Sequence, residues 1–259
     1  MTSMNQSASE PTDRSPPAPP CAAAIVFAVA VEADAFERMA TEVVEIRSAT
    51  HRFRKGIVAG RPVAWCIAGI GEDAAASAVR LLIAGHHPGV VVTAGFAGGL
   101  DPTLPRGHVV RPVASVTKSG GEAIPLSGIG GANADGHPGV TIVTVPHVAA
   151  TAEATRLLAA SSGAAVVDME TRAVATAARE AGLPCASIRV ISDSADQDLP
   201  REITALAAPQ SAARRLGTAL AAVVRRPAAA GDLWRVWEQA VIDGRTLAAA
   251  LVDLIAVLP

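Results

Sequence analysis

Residues 166–196, VVDMETRAVATAAREAGLPCASIRVISDSAD, contain a strand, a helix and a second strand in succession. Residues 166–169 are apolar at the start and read as the end of a buried strand. Residues 170–181 are rich in Ala, Arg and Glu, all good helix formers. Gly182, Leu183 and Pro184 then stop the helix, since glycine closes a C-terminus and proline cannot continue one. Residues 185–191 form a second apolar strand, with Ser192 and Asp193 at its end. A right-handed crossover predicts that the two strands are parallel. Glu170 and Asp193 are then expected at one carboxyl edge, where open α/β sheets bind ligands. Arg189 lies between Ile188 and Val190. A strand buried on both faces tolerates arginine only beside a partner carboxylate.

Outward from this unit, strand-like and helix-like segments alternate. The apolar run 21–31 is too short to cross a bilayer. No basic region precedes it, and Glu32 and Asp34 follow directly, so it reads as a first buried strand. Residues 1–20 are Pro/Ser-rich and cannot build a core, which sets 1–21 apart as a disordered leader. Residues 32–41 read as a short helix. The runs 43–59 and 61–68 flank a Gly60 turn and read as a hairpin. Residues 72–86 are helical, with acids in the first turn. A β-branched run at 88–94 opens into a glycine turn at 95–99. Residues 108–116 and 140–146 read as strands, 117–138 as a mobile Gly/Ser/Asn loop, and 149–161 as a helix. Two more helices, 211–226 and 232–257, are separated by Pro227. The alternation predicts a single α/β domain over 22–226, with a central, mostly parallel or mixed sheet flanked by helices on both faces. Residues 227–259 are expected to be a helical extension.

The chain has 259 residues, half of them apolar, enough for a full core. A net charge of -2 gives no field favouring nucleic acid. Four Phe, three Trp and no Tyr cannot form a stacking platform for single strands. Cys21, Cys66 and Cys185 are odd in number and widely spaced, as expected of buried thiols in a reducing cytoplasm. No P-loop, dinucleotide fingerprint or nucleophile elbow occurs. His86 and His87 lack HExxH or cysteine partners, so no metal site is expected. Arg225 and Arg226 close a helix, where cations favour the dipole.

Four features fall at the carboxyl ends of predicted strands: Glu32, the glycines of 95–99, Glu170 and Asp193. Such convergence is what one active site needs. Each also has a purely structural explanation. Glu32 and Glu170 suit the first turn of a helix. The glycines suit tight packing, and Asp193 suits a cap.

Four segments, FAVAVEADAF (27–36), AGIG (68–71), TAGFAGGLDPTLPRGHVV (93–110) and VDMETRAVATAAREAGLPCASIRVISDSAD (167–196), carry a resemblance covering about residues 23–225. Together they resemble the nucleoside phosphorylase/nucleosidase superfamily, especially the methylthioadenosine/S-adenosylhomocysteine nucleosidases. The C-terminal helices also resemble those of hopanoid-associated phosphorylases.

The resemblance implies cleavage of the N-glycosidic bond of a purine nucleoside, adenosine-type and modified at the 5′ position, as in methionine salvage. It implies that Asp193, oriented by Ser192, donates to purine N7. Glu32 would hold the attacking water. Glu170 would accept the ribose hydroxyls, with Met169 against the sugar and Arg189 pairing with Glu170. Ala97 and Gly98 would lie beside the base or sugar, and His147 would stand near the place of the family's base-stacking aromatic. Asp168 replaces a family Glu. No cofactor or metal is implied, and the assembly is expected to be a homodimer or larger ring.

Phe96 stands where phosphorylases carry Ser or Thr, and it offers no side-chain donor. Thr93 stands where purine phosphorylases carry Arg. Both favour hydrolysis. A phosphate-dependent phosphorylase, with an adenosylhopane-type substrate and phosphate held by Arg38, Arg52, Arg54 or Lys55, is the first alternative. A nucleoside-binding protein without turnover is the second.

Overall fold

The apolar run at the start of the domain is a strand, β1 (Ala23–Phe27), buried along its whole length. The structure is a computed structural model describing residues 21–48, 51–119, 121–127, 129, 139–196 and 229–258. Residues 1–20 of the expected leader, most of the expected loop beyond 127 and the expected helix at 211–226 lie outside the described residues.

After β1 come α1 (Ala30–Glu37), β2 (Thr41–Arg47), β3 (Arg52–Val58), β4 (Arg61–Ile67) and α2 (Glu72–His86). Then follow β5 (Val90–Gly99), β6 (Val109–Val110), β7 (Ala114–Val116), β8 (Ile124–Pro125) and β9 (Thr141–Thr144). The described chain ends with α3 (Ala152–Ser162), β10 (Val166–Asp168), α4 (Thr171–Glu180), β11 (Cys185–Asp193) and α5 (Ala229–Ala256). The strands form one mixed sheet in the order β2-β3-β4-β1-β5-β10-β9-β7-β8, with β11 joined to β5 and β6.

The period-2 alternation of β1 divides the core. Ala24 and Val26 face Ala78, Val79 and Leu82 of α2 and Val174 and Ala178 of α4. Ala23, Ile25 and Phe27 face Ala33 and Phe36 of α1 and Leu247, Leu251 and Leu254 of α5. Helices therefore cover both faces, as the pattern requires. Three of the few aromatics meet on the α1 side. Phe36 packs against Phe27 and, edge-on, against Trp65, each at 5.6 Å between centroids. Cys21, Cys66 and Cys185 are all buried and free.

Several expectations are corrected. The run 43–59 is itself a hairpin, β2 against β3, closed where Ser48 N–H donates to the His51 carbonyl and His51 N–H donates to the Ser48 hydroxyl. The run 108–116 is broken into β6 and β7 around Pro112, which has no N–H to give a ladder. The glycines of 95–99 form no turn but remain in β5 to its end. Strands β10 and β11 are not parallel. β10 runs antiparallel to β5, with Val166 opposite Gly99, whereas β11 runs parallel to β5 from Cys185 opposite Val91. The helix between them thus returns the chain to the far side of β5 instead of making a βαβ crossover.

The C-terminal helix is part of the core. Leu247, Leu251 and Leu254 are fully buried within the cluster that contains β1 and β5. No helix among the described residues is long and apolar enough to cross a membrane. Because Leu251 is wholly enclosed, Leu251→Ala is expected to destabilise the protein by about 2–5 kcal/mol, measured as a lower urea midpoint at unchanged m-value.

Candidate active site

The local folding of α1 explains the placement of Glu32. The helix begins after Val29, whose side chain cannot cap it. Glu32, at the third helical position, folds back and accepts the backbone N–H groups of Ala28 and Val29 at 2.9 and 3.0 Å. Its other oxygen accepts Phe96 N–H from β5 at 2.8 Å. The residue is 4 % exposed, so it is not the solvated helix-start acid that the sequence equally allows. Burial pushes its proton affinity above the usual carboxylate range, while these donors and the Arg189 charge act against the rise.

The buried Arg189 has its partner carboxylate, and the partner is Asp168. One guanidinium nitrogen, Nη2, lies 2.7 Å from Asp168 Oδ2, 2.6 Å from Thr93 Oγ1 and 2.7 Å from Thr171 Oγ1. The expected direct pairing with Glu170 is thus corrected: Glu170 senses Arg189 only through its charge. Asp168 is saturated, since it also accepts Thr144 Oγ1 at 2.8 Å and Thr171 N–H and Oγ1 at 2.9 and 2.6 Å. Asp168 thereby caps α4. Glu170, the residue at the N-cap position, makes no side-chain cap and instead reaches Gly71 N–H at 2.7 Å. Glu170 is buried, and burial, reinforced by the negative Asp168, raises its proton affinity; the Gly71 hydrogen bond and Arg189 oppose the rise. The charge of Glu32 also reaches Glu170 and raises it further, so the two acids share one electrostatic site.

Asp193 closes the set from β11. The register slips between Ile191 and Asp193, so that Ile191 stands opposite Ala97 and Asp193 opposite Gly98. Ser192 is the extra residue of this bulge, a device that re-aims a side chain. Its hydroxyl donates to Asp193 Oδ1 at 2.6 Å. Burial raises the proton affinity of Asp193, against the Ser192 hydrogen bond and the Arg106 charge.

The glycines of β5 serve close approach. A Cβ at Gly95 would lie 2.5 Å from Glu32 Oε1 and 2.6 Å from Arg189 Nη1, and one at Gly98 would lie 2.9 Å from Asp193 Oδ2. Glu32 and Asp193 thus flank positions three residues apart on one strand, a span of roughly 10 Å.

Ala97 and Met169 are buried beside these groups, Ala97 between Gly95 and Gly98 on β5 and Met169 between Asp168 and Glu170. His147 is different: it is exposed on the bend after β9 and is not brought into the hydrogen-bonded set. Of the four cations considered for phosphate, Arg54 is ion-paired with Glu37 and lies 3.5 Å from Glu45. The sequence reading missed Thr93, Thr144 and Thr171 as partners of the buried pair. For Thr93 and Thr144 the signal was a hydroxyl inside an apolar run, the same anomaly that marked Arg189; Thr171, between Glu170 and Arg172, gave no such signal.

The sequence matches the model of the phosphorylase superfamily over residues 22–143 and 126–227. Among solved structures, the chain is similar to an S-adenosylhomocysteine nucleosidase from Streptococcus pyogenes in complex with 5-methylthiotubericidin. That match has a TM-score of 0.70 at 17% identity and covers 94% of this chain and 100% of the other. A methylthioadenosine/S-adenosylhomocysteine nucleosidase from Colwellia psychrerythraea in complex with adenine gives 0.70 at 19%, covering 93% and 96%. The futalosine hydrolase of Helicobacter pylori gives 0.69 at 17%, covering 91% and 97%. At these identities the likeness shows a shared fold.

Two outcomes follow from the buried charges. Asp168→Ala leaves Arg189 enclosed without a counter-charge and is expected to lower unfolding free energy by about 3–5 kcal/mol in urea titration. Glu170 has a raised proton affinity, so the stability linked to it is full below the ordinary carboxylate range and is lost as pH rises through its folded value. Glu170→Gln is therefore expected to have a higher Tm than the parent, by a margin that widens from about pH 5 to about pH 9; a constant margin contradicts the assignment.

Proposed function

The chain belongs to the phosphorylase superfamily, and from that premise we propose that it hydrolyses the N-glycosidic bond of an adenosine-type purine nucleoside modified at its 5′ position. One observation carries the choice of hydrolysis. Two groups that could bind an anion at the glycine segment of β5 are already committed. Phe96 N–H is given to Glu32, and Arg189 Nη2 is given to Asp168, Thr93 and Thr171. A phosphate entering beside Gly95 would meet the Glu32 carboxylate, an unfavourable like-charge neighbour, together with Nη1 of Arg189, a guanidinium already paired with Asp168.

In this reading the purine leaves as positive charge develops on C1′. Asp193, with a proton affinity raised by burial, carries the proton that N7 receives. The C1′–N9 bond breaks, and the electron pair goes to the base. Glu32 holds a water on the other side of C1′. As the new C1′–O bond forms, the water proton passes to Glu32. Glu170 accepts the ribose hydroxyls, with Met169 behind the sugar and the backbone of Ala97 and Gly98 along the base. The Arg189 charge opposes the rise in proton affinity of Glu32 and Glu170. The scheme uses neither metal nor organic cofactor. The fold shared with nucleosidases solved with 5-methylthiotubericidin and with adenine supports the substrate class.

Free base should be released from methylthioadenosine or S-adenosylhomocysteine in phosphate-free buffer. Release only with phosphate, with the sugar 1-phosphate as product, overturns hydrolysis; saturable binding with no release overturns turnover altogether. Asp193→Asn is expected to lower kcat by about a hundredfold or more, and an unchanged rate removes Asp193 from the chemistry.

A further inference from the structure

Arg106, on the segment between β5 and β6, joins three parts of the molecule. Its Nη1 donates to the backbone carbonyl of Ser192, and its Nη2 lies 2.6 Å from Asp243 Oδ2 of α5. Asp243 has a side chain only 3% exposed, so it is a buried anchor and not a solvated surface acid. Ser192 is the bulged residue of β11, and a bulge leaves its carbonyl outside the regular ladder. Arg106 supplies the missing donor there. The same carbonyl precedes Asp193, whose own carboxylate is turned toward Gly98.

The anchor side is equally defined. Next to Asp243, Gly244 allows α5 to approach α1 so closely that a Cβ would lie 2.7 Å from the carbonyl of Val31. Val31 directly precedes Glu32. One contact of α5 therefore bears on the helix that holds Glu32, and the adjacent residue bears, through Arg106, on the bulge that holds Asp193.

We infer that Arg106 and Asp243 form a positioning pair that holds the Ser192 bulge and aims Asp193, which makes α5 a working part of the site. The inference rests on the reading of Asp193 as the acid that serves the leaving base. Neither residue touches the reacting atoms. Arg106 is the charged group facing Asp193; the neighbours from β5 and β10, Gly98 and Val167, carry no charge, and Ser192 contributes a hydroxyl. Arg106 itself is balanced by Asp243.

This arrangement predicts opposite movements in the pH profile, which a merely structural role does not produce. Loss of the cation raises the proton affinity of Asp193. Loss of the Asp243 charge leaves Arg106 unbalanced and lowers it. Profiles of kcat against pH, with Tm measured on each protein, are compared for the full-length parent, Arg106→Gln, Arg106→Lys and Asp243→Asn on the nucleoside that the parent cleaves. Arg106→Gln is expected to lose about tenfold or more in kcat, with KM within about threefold of the parent, and its alkaline limb moves to higher pH. Asp243→Asn moves the limb to lower pH. Arg106→Lys keeps the limb where the parent has it. An active parent with an unmoved limb in both Arg106→Gln and Asp243→Asn overturns the positioning pair alone. A parent that releases no base from any purine nucleoside overturns the functional reading and this inference together.

Discussion

The ion pair between Arg189 and Asp168, sealed between the central strand and α4, is the constraint on which the site depends. Both side chains are almost wholly enclosed, at 2% and 1% exposure. Taking two charges out of water is costly, and Coulomb attraction offsets this only when the remaining donors and acceptors are met. Here Thr93, Thr144 and Thr171 supply hydrogen bonds to Arg189 Nη2 and to Asp168, while Arg189 Nε has none. The pair therefore dictates where three elements sit: β5 through Thr93, β9 through Thr144 and the start of α4 through Thr171. Because Asp168 caps α4, Glu170 is released from that duty and turns toward Gly71. A structural pair thus creates the freedom of its acidic neighbour.

Around this anchor, Glu32 and Glu170 are held by backbone donors and Asp193 by a neighbouring hydroxyl. Glu32 rests on three main-chain N–H groups, Glu170 on one, and Asp193 on the hydroxyl of the bulged Ser192. Backbone donors are rigid and bear no counter-charge that a substrate would have to displace. Burial raises the proton affinity of all three acids. Carboxylates held above their ordinary range are suited to proton transfer near neutrality. The glycines of β5 complete the arrangement by removing the Cβ atoms that would occupy the same space.

The C-terminal helix has a double relation to this centre. Its leucines close the core on the α1 face, and its Asp243–Gly244 step meets the helix that bears Glu32 and, through Arg106, the bulge beside Asp193. Stability and site geometry are therefore linked through one element.

Much of this was legible in the residues. Continuous strand-like runs identified β1 and β4, the Gly-Leu-Pro stop ended α4, and an arginine inside an apolar strand announced a buried carboxylate. The segments around Glu32, Glu170 and Asp193 identified the acids themselves. These are local signals, set by backbone propensity and the burial of one face. The direction of β10, the choice of Asp168 over Glu170 as the partner of Arg189, the exposure of His147 and the link from Arg106 to α5 were decided only in three dimensions. Each depends on which strand or helix lies alongside, and the partner is tens of residues away. Local periodicity records that a group must be buried and satisfied; only the packed sheet determines which distant group satisfies it.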